Sequence, residues 1–524
     1  MSAIGTLHRN GTLLTLLVVA SVCLPAPTAC AGEGSRPNVL FIVVDDLNDW
    51  VGFLGGYPGK VHTPNIDRLA KRGTAFTNAH TAAPVCCPSR AATMLGRLPS
   101  STGIYNNQQW WKPHLPKAVS MPAHFRHSGY RALGSGKIFH HTAGNNPPSE
   151  WDAFRRNVFL DNAWAYNNPQ GRSASYPWTP SMPIPKGFPF SGIRCYSREV
   201  DWGVLEKPER ELDDVVCVDW VIDALNAAKG SNDRRPFYLA CGVFRPHMPW
   251  YAPRKYADLY PLEEVVLPKV PKDDLDDVPA AGQKLAARKS DDLERIRAAG
   301  LWKEAVRMYL ASISFADAQV GRLIDAVDAT GLASETVIVL WSDHGWHLGE
   351  KGHWHKRTLW EEATRVPVII VAPGRGKAGT RCARPVSTID LFPTLLALCG
   401  LPKVDNLDGR SLAGLIDDPA SKREAPAITV DENRNVAVRG ERYRYILYQD
   451  GSEELYDHHV DQGEWRNVAG EAALADVKRR LRRWVPRDFA PGAPRKNAYD
   501  FDSERFLWRV KRDGRVINGR PADR

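Results

Sequence analysis

The sequence predicts an α/β protein: a large domain with a mostly parallel central sheet flanked by helices, then a small C-terminal α+β domain with an antiparallel sheet. Three observations predict it. Four β-branched runs, Asn38–Val44, Pro236–Phe244, Thr336–Trp341 and Val366–Val371, are continuously apolar rather than alternating, as strands buried on both faces are. Helical patterns lie between them, at Asn65–Arg72, Val215–Ala228, Trp302–Ala329 and Ile389–Leu398. From about Ala427 the pattern shifts to short strands and turns (AITV, NVAVRG, YRYILYQ, EELYD), with a helix near Ala472–Trp484.

The N-terminus explains itself first. Arg9, the apolar run Leu13–Leu24 and the small-residue site Ala29-Cys30-Ala31 read as a secretory signal peptide over residues 1–31. The expected location is therefore secreted or periplasmic. A lipid anchor at Cys30 is disfavoured by Pro27, and no later segment is apolar enough for a stable membrane span. The large domain is placed at residues 36–425, the small one at 426–490, and a basic tail at 491–524. Residues 251–300, rich in proline and charge, read as a long surface excursion. Of 9 cysteines, the signal removes Cys23 and Cys30 and leaves an odd number, with no paired C-x-x-C spacing for zinc.

Composition bounds the function. With 43% hydrophobic and 25% charged residues in 524, collagen, coiled coil and wholesale disorder are excluded. The net charge of +9 raises the question of nucleic acid. Residues 1–476, however, hold Lys+Arg and Asp+Glu in equal number, so the whole excess falls in the last helix and tail. No nucleic-acid partner is expected. The tail is either a solvated basic segment or a contact for an acidic polysaccharide.

In open α/β sheets, ligands bind beyond the carboxyl ends of the strands. The first run ends in Asp45-Asp46, the second in Arg245-Pro246-His247, the third in Ser342-Asp343-His344 and the fourth in a turn, Ala372-Pro373-Gly374. Paired aspartates after a buried strand are costly without a counter-charge. Asp45, Asp46 and Asp343 together suit a hard divalent cation such as Ca²⁺ or Mg²⁺. His344 is an atypical calcium ligand, and the His-dense stretch His344–His355 matches no zinc spacing. Cys86-Cys87-Pro88-Ser89-Arg90 precedes a helix, with Pro88 near its first turn, so an anionic substrate would meet the positive helix end. Asn107 and Trp110-Trp111 are either a sugar platform or part of the core.

C-x-P-S-R followed by Gly96-Arg97 resembles the sulfatase signature, in which the first Cys becomes formylglycine. The second family motif is present at Gly129–His140, departing at Ala132 where Ser or Thr is usual. FRPHMPW, SDHGWHLGE, HWHK, STIDLFPTLLALCGL and EELYDHHVDQGEWRN follow in order, and the resemblance spans about Pro37–Asn467. RPHMPWYAPRKYADLYPLEE is similar to the iduronate-2-sulfatase-like branch of the type I, formylglycine-dependent sulfatases. The resemblance implies an alkaline-phosphatase-like fold and hydrolysis of sulfate monoesters. Cys86, as hydrated formylglycine, would attack sulfur, and the second hydroxyl would then expel sulfate and regenerate the aldehyde. Carried over by position, His140 is the base, Arg90 and Lys137 stabilise the diol, and His247 and Lys356 hold the sulfate, with His247 a candidate acid. Asp45, Asp46, Cys86, Asp343 and His344 would hold one Ca²⁺. The implied partners are a sulfated carbohydrate (a 2-O-sulfated uronate of a glycosaminoglycan, or an algal polysaccharide) and a formylglycine-generating or other sulfatase-maturating enzyme. The alternatives are a phosphodiesterase or phosphonate monoester hydrolase of the same superfamily, and a catalytically silent carbohydrate-binding relative.

Overall fold

A computed structural model describes residues 36–155, 190–193, 195, 200–206, 208–288 and 290–521. The expected signal peptide lies outside them. The central sheet is formed by β1 (Asn38–Val44), β2 (Thr74–Phe76), β3 (Arg131–Gly136), β4 (Ala153–Arg155), β5 (Phe237–Val243), β6 (Thr336–Ser342), β7 (Val368–Val371) and β8 (Thr380–Cys382). Its order is β8-β2-β7-β6-β1-β5-β3-β4. All neighbours pair parallel except β7, which is antiparallel to both β6 and β2.

The four apolar runs are therefore β1, β5, β6 and β7, and the reversed direction of β7 has a consequence. Its carboxyl end lies at the edge of the sheet opposite to those of β1, β5 and β6, so only a turn follows it. Helices α1 (Pro64–Ala70), α3 (Asp213–Lys229) and α4 (Trp302–Thr330) cover one face of the sheet, and α2 (Cys86–Leu95) and the helix Leu391–Leu398 the other. The central strand shows why its sequence is uniformly apolar. Leu40, Ile42 and Val44 point into one core and Val39, Phe41 and Val43 into the other, all at 0% exposure. Burying each contributes about 1.5–3 kcal/mol.

The C-terminal region carries a four-stranded antiparallel sheet in sequential order, β9 (Ala427–Val430), β10 (Val436–Arg439), β11 (Tyr443–Leu447) and β12 (Glu453–Asp457). Helix α5 (Ala475–Arg482) packs on it through Val477 and Leu481. Two segments differ from expectation. The 251–300 excursion contains helices at Ala280–Ala287 and Ser290–Ala298, whose Leu285, Leu293 and Ile296 are buried. The expected tail folds into a three-stranded antiparallel sheet, β13 (Tyr499–Asp502), β14 (Leu507–Val510) and β15 (Val516–Asn518). It encloses Trp508, whose ring centroid lies 6.3 Å from that of Trp110. Its basic side chains, Arg505, Arg509, Arg512 and Arg515 among them, point to solvent around that aromatic core.

Candidate active site at the carboxyl edge of the sheet

Four strand ends build the site. Just past β1, Asp45 donates its backbone N–H to Val243 of β5 (3.1 Å), and Asp46 adopts φ 59°. That left-handed conformation costs about 1–3 kcal/mol in a residue other than glycine. It is held by Tyr309, whose hydroxyl donates to the Asp46 carbonyl at 2.8 Å. Past β3, Gly136 has φ 78°, and a Cβ there would stand 2.1 Å from the Gly242 carbonyl oxygen. Glycine at 136 and 242 lets the backbone of Lys137 run against β5. Past β5 comes His247, and past β6 come Asp343 and His344.

Cys86 opens α2. The residue before it, Val85, offers no side-chain cap, and Cys86 stands at the positive end of the helix dipole. Around the Cys86 Sγ lie Lys356 Nζ at 3.2 Å, His344 Nε2 at 3.3 Å, Lys137 Nζ at 3.6 Å and Asp46 Oδ1 at 3.9 Å. Arg90, one turn along α2 and wholly buried, ties the strand ends together. Its Nε donates to Asp343 Oδ2 and its Nη2 to Asp45 Oδ1, each at 2.8 Å, and its Nη1 donates to the carbonyls of Lys137 and Ile138. Lys137 pairs with the other oxygen of Asp45. Lys356 donates to both oxygens of Asp46, at 2.7 and 2.9 Å. His355 (φ 121°) and Arg357 (φ 80°), on either side of Lys356, also have positive φ.

The electrostatics follow from burial and pairing. Burial pushes the Asp45 carboxyl up to about 7 and raises Asp46, against the pull of Lys137 and Lys356 respectively. Burial also pushes at Asp343, but Arg90, His344 and Lys137 outweigh it and hold that carboxyl well below the usual range. His344 donates from Nδ1 to the Gly345 carbonyl at 3.0 Å, which leaves the Nε2 lone pair facing Asp46 (3.4 Å) and Asp343 (3.5 Å). Ligand atoms of Asp46, Cys86, Asp343 and His344 lie within 4.8 Å of one another, and Asp45, Asp46 and His247 form a second such group. This oxygen-rich, buried donor set fits a divalent cation. Asp45 faces Arg90 and Lys137 and stands at the rim of the four-residue group.

His247 donates from Nδ1 to the Met248 carbonyl at 2.6 Å and turns Nε2 toward Asp46 Oδ2 at 3.8 Å. Burial, with Lys137 and Lys356 nearby, holds His247 well below its ordinary pKa. Burial and the adjacent His141 do the same to His140, whose ring centroid is 4.3 Å from that of His141. No hydrogen bond between His140 and Cys86 accompanies this placement. All ten predicted site residues thus lie at one edge of the sheet, with His140 and His247 flanking the cluster.

Supporting contacts come from residues to which the sequence assigned no such role, Thr81 carrying no signal at all and Ser89 and Asn107 being noted there for other reasons. Thr81 and Ser89 both donate to the Asp343 carbonyl at 2.5 Å and fix that backbone. Asn107 accepts from the Cys87 N–H at 2.9 Å, supporting the start of α2. Trp110 and Trp111 belong to the core. They are 6% and 0% exposed, and their indoles donate to the Ala143 and Asn145 carbonyls, so neither ring offers a sugar platform.

The family description Sulfatase matches residues 37–401. The chain belongs to the sulfatase family. It is a hydrolase of sulfate esters, with an alkaline-phosphatase-like fold. A second description, the C-terminal part of N-sulphoglucosamine sulphohydrolase, matches residues 349–487 and takes in β9–β12 and α5. This sulfatase is 36% identical over 471 residues to a sulfatase of Formosa agariphila, covering 87% of each chain. It is 32% identical over 429 residues to human iduronate 2-sulfatase, covering 75% of this chain and 74% of that one. Among solved structures, the phosphonate monoester hydrolase of Agrobacterium radiobacter matches with a TM-score of 0.67 at 20% identity, over 93% of this chain and 100% of that one, a likeness of fold.

Proposed function

We propose that this sulfatase acts outside the cytoplasm on a sulfated carbohydrate, through formylglycine at Cys86 and a calcium ion held by Asp45, Asp46, Asp343 and His344. The observation that carries the reading is the setting of Cys86. It stands at a helix N-terminus, between two lysine ammonium groups and a buried carboxylate set. Similarity to iduronate 2-sulfatase supports a carbohydrate substrate, with a 2-O-sulfated uronate among the candidates.

Asp45, Asp46 and Asp343 balance Arg90, Lys137 and Lys356 in charge. A divalent cation held by Asp45, Asp46, Asp343 and His344 would make the site cationic toward a sulfate monoester and would supply Lewis acidity toward its oxygens. Formylglycine supplies, as its hydrate, an oxygen nucleophile that releases sulfate by re-forming an aldehyde, which a thiol does not do. Lys137 and Lys356 hold anionic oxygens beside the nucleophile, and Arg90 keeps Asp45 and Asp343 in register. His140, kept neutral by burial, is in the state to take a proton. His247 is also neutral in the resting site. An arriving sulfate next to Nε2 favours its protonated form, which can then donate to the leaving alcohol.

The test begins with mass spectrometry of tryptic peptide 73–90 from protein co-expressed with a maturating enzyme. Aldehyde is expected at Cys86, with Cys87 an unmodified thiol in the same peptide. Turnover of an aryl sulfate should exceed that of an aryl phosphonate monoester, and Cys86→Ala should abolish it. Chelation should lower both activity and Tm, with recovery on adding Ca²⁺. A panel of sulfated oligosaccharides then identifies the sugar, and N-terminal sequencing of exported protein should begin after Ala31. Full turnover by a thiol-only preparation, or a preference for the phosphonate, overturns the mechanism.

A further inference from the structure

The loop that carries His140 has no regular structure, and the imidazole Nδ1 of His140 has no hydrogen-bond partner among the described residues. Something other than that ring must hold the loop. Three contacts do so. Trp110 Nε1 donates to the Ala143 carbonyl at 2.8 Å, and Trp111 Nε1 to the Asn145 carbonyl at 3.0 Å. The third comes from far along the chain: Lys496 Nζ donates to Thr142 Oγ1, which also accepts from Asn145 Nδ2 at 2.8 Å.

Lys496 sits on a strap that the sequence reads as tail. Ala490 donates its N–H to the Ser100 carbonyl (2.7 Å), Ala493 to Gly103 (2.8 Å) and Lys496 to Gln108 (2.7 Å). The carbonyl of Ala493 accepts from Gln109 Nε2 at 2.6 Å. The strap thus lies along the 100–109 segment, whose Asn107 supports the start of α2. Lys496 joins that segment, through its backbone, to the histidine loop, through its ammonium.

The ammonium is costly where it stands. Burial pushes it down to about 8, and no carboxylate pairs with it among the described residues. A half-buried cation without a carboxylate, bonded to the residue two along from His140, is a feature that packing alone does not call for.

We propose that Lys496 is a positioning residue: by bridging Gln108 and Thr142 it sets the loop 139–146, and through it the place of His140 at the flank of the catalytic cluster. The catalytic part of this inference rests on the sulfatase reading above; the loop-holding part does not.

Both parts are tested on the full chain. Hydrogen exchange of amides 139–146 should speed up roughly tenfold or more in Lys496→Met while β5 stays protected. With an aryl sulfate, Lys496→Met should lower kcat roughly tenfold to a hundredfold with KM within about twofold, because a misplaced base costs rate rather than binding. Lys496→Arg, which keeps a donor in reach of Thr142, should restore most of the loss. If Lys496→Met does not fold, Thr142→Val should give the same loop exchange. Unchanged exchange in these variants overturns the proposal, and so does a raised KM with kcat intact, which would make Lys496 a substrate contact. A wild-type chain without sulfatase turnover defeats the functional reading alone, since the exchange result stands apart from activity.

Discussion

At the scale of single residues, Arg90 does the most. Its guanidinium reaches two carboxylates and two carbonyls from one buried position, which the planar fork of Arg allows and a point ammonium does not. Arg90→Lys keeps the charge but can serve only one side, leaving either Asp45 or Asp343 buried with less compensation. We expect about 3–5 kcal/mol of lost stability, seen in denaturant midpoints, and activity lost with it. A variant as stable as the parent would mean that the charge alone is needed. At this scale the sequence was informative where chemistry follows a strand end: Asp45, Asp46, His247, Asp343 and His344 each lie just past a run of apolar residues. The roles of Cys86, Arg90, Lys137, His140 and Lys356 came from motifs. Lys496 was not legible, because nothing near it in the chain marks a contact with a loop some 350 residues earlier.

At the scale of elements, legibility followed burial. Strands buried on both faces announce themselves as apolar runs, so β1, β5, β6 and β7 were readable, though not that β7 runs the other way. Strands β13–β15 are short and carry charges on their outer faces, so they read as tail. Helix α1 shows a dependence that no local pattern reveals. Thr63 gives it no side-chain cap, and Asp317 of α4 accepts instead from the N–H groups of Asn65 (3.0 Å) and Ile66 (2.7 Å). Burial, against those hydrogen bonds, raises the Asp317 carboxyl from 3.8 to about 6. Between these values the native state holds a proton that the unfolded chain has lost, so the stability this group contributes falls as pH rises through about 4 to 6. Asp317→Ala should therefore cost about 1–2 kcal/mol at pH 4 and less at pH 7 in chemical denaturation. A cost that grows with pH would refute the assignment.

At the scale of the whole molecule, the question is what joins the C-terminal sheet to the catalytic body. Ligand atoms of Glu361, His458 and Glu464 lie within 4.8 Å of one another, as in a metal site. The oxygens are already engaged, however. Arg444 of β11, fully buried, pairs with both Glu361 and Glu464, Arg439 of β10 stands 3.4 Å from Glu361, and His458 bonds Glu464 at 2.9 Å. Burial raises the Glu361 carboxyl, but His458, Arg439 and Arg444 outweigh it and hold it well below the usual range. The cluster is thus an ion-pair knot across the junction, since Glu361 follows the Lys356 loop while both arginines sit on the C-terminal sheet. Removing one partner strands the other charges, which costs more than the pair is worth against an apolar replacement. Arg444→Met should lose about 3–5 kcal/mol, with the C-terminal sheet melting before the catalytic body in place of one transition. Adding Glu361→Gln and Glu464→Gln should return part of that loss, because no uncompensated carboxylate then remains. If the triple variant is no more stable than Arg444→Met, the knot acts through shape and hydrogen bonding rather than charge. Chelators, expected to act at the catalytic edge if the proposed calcium is bound there, should leave this junction untouched.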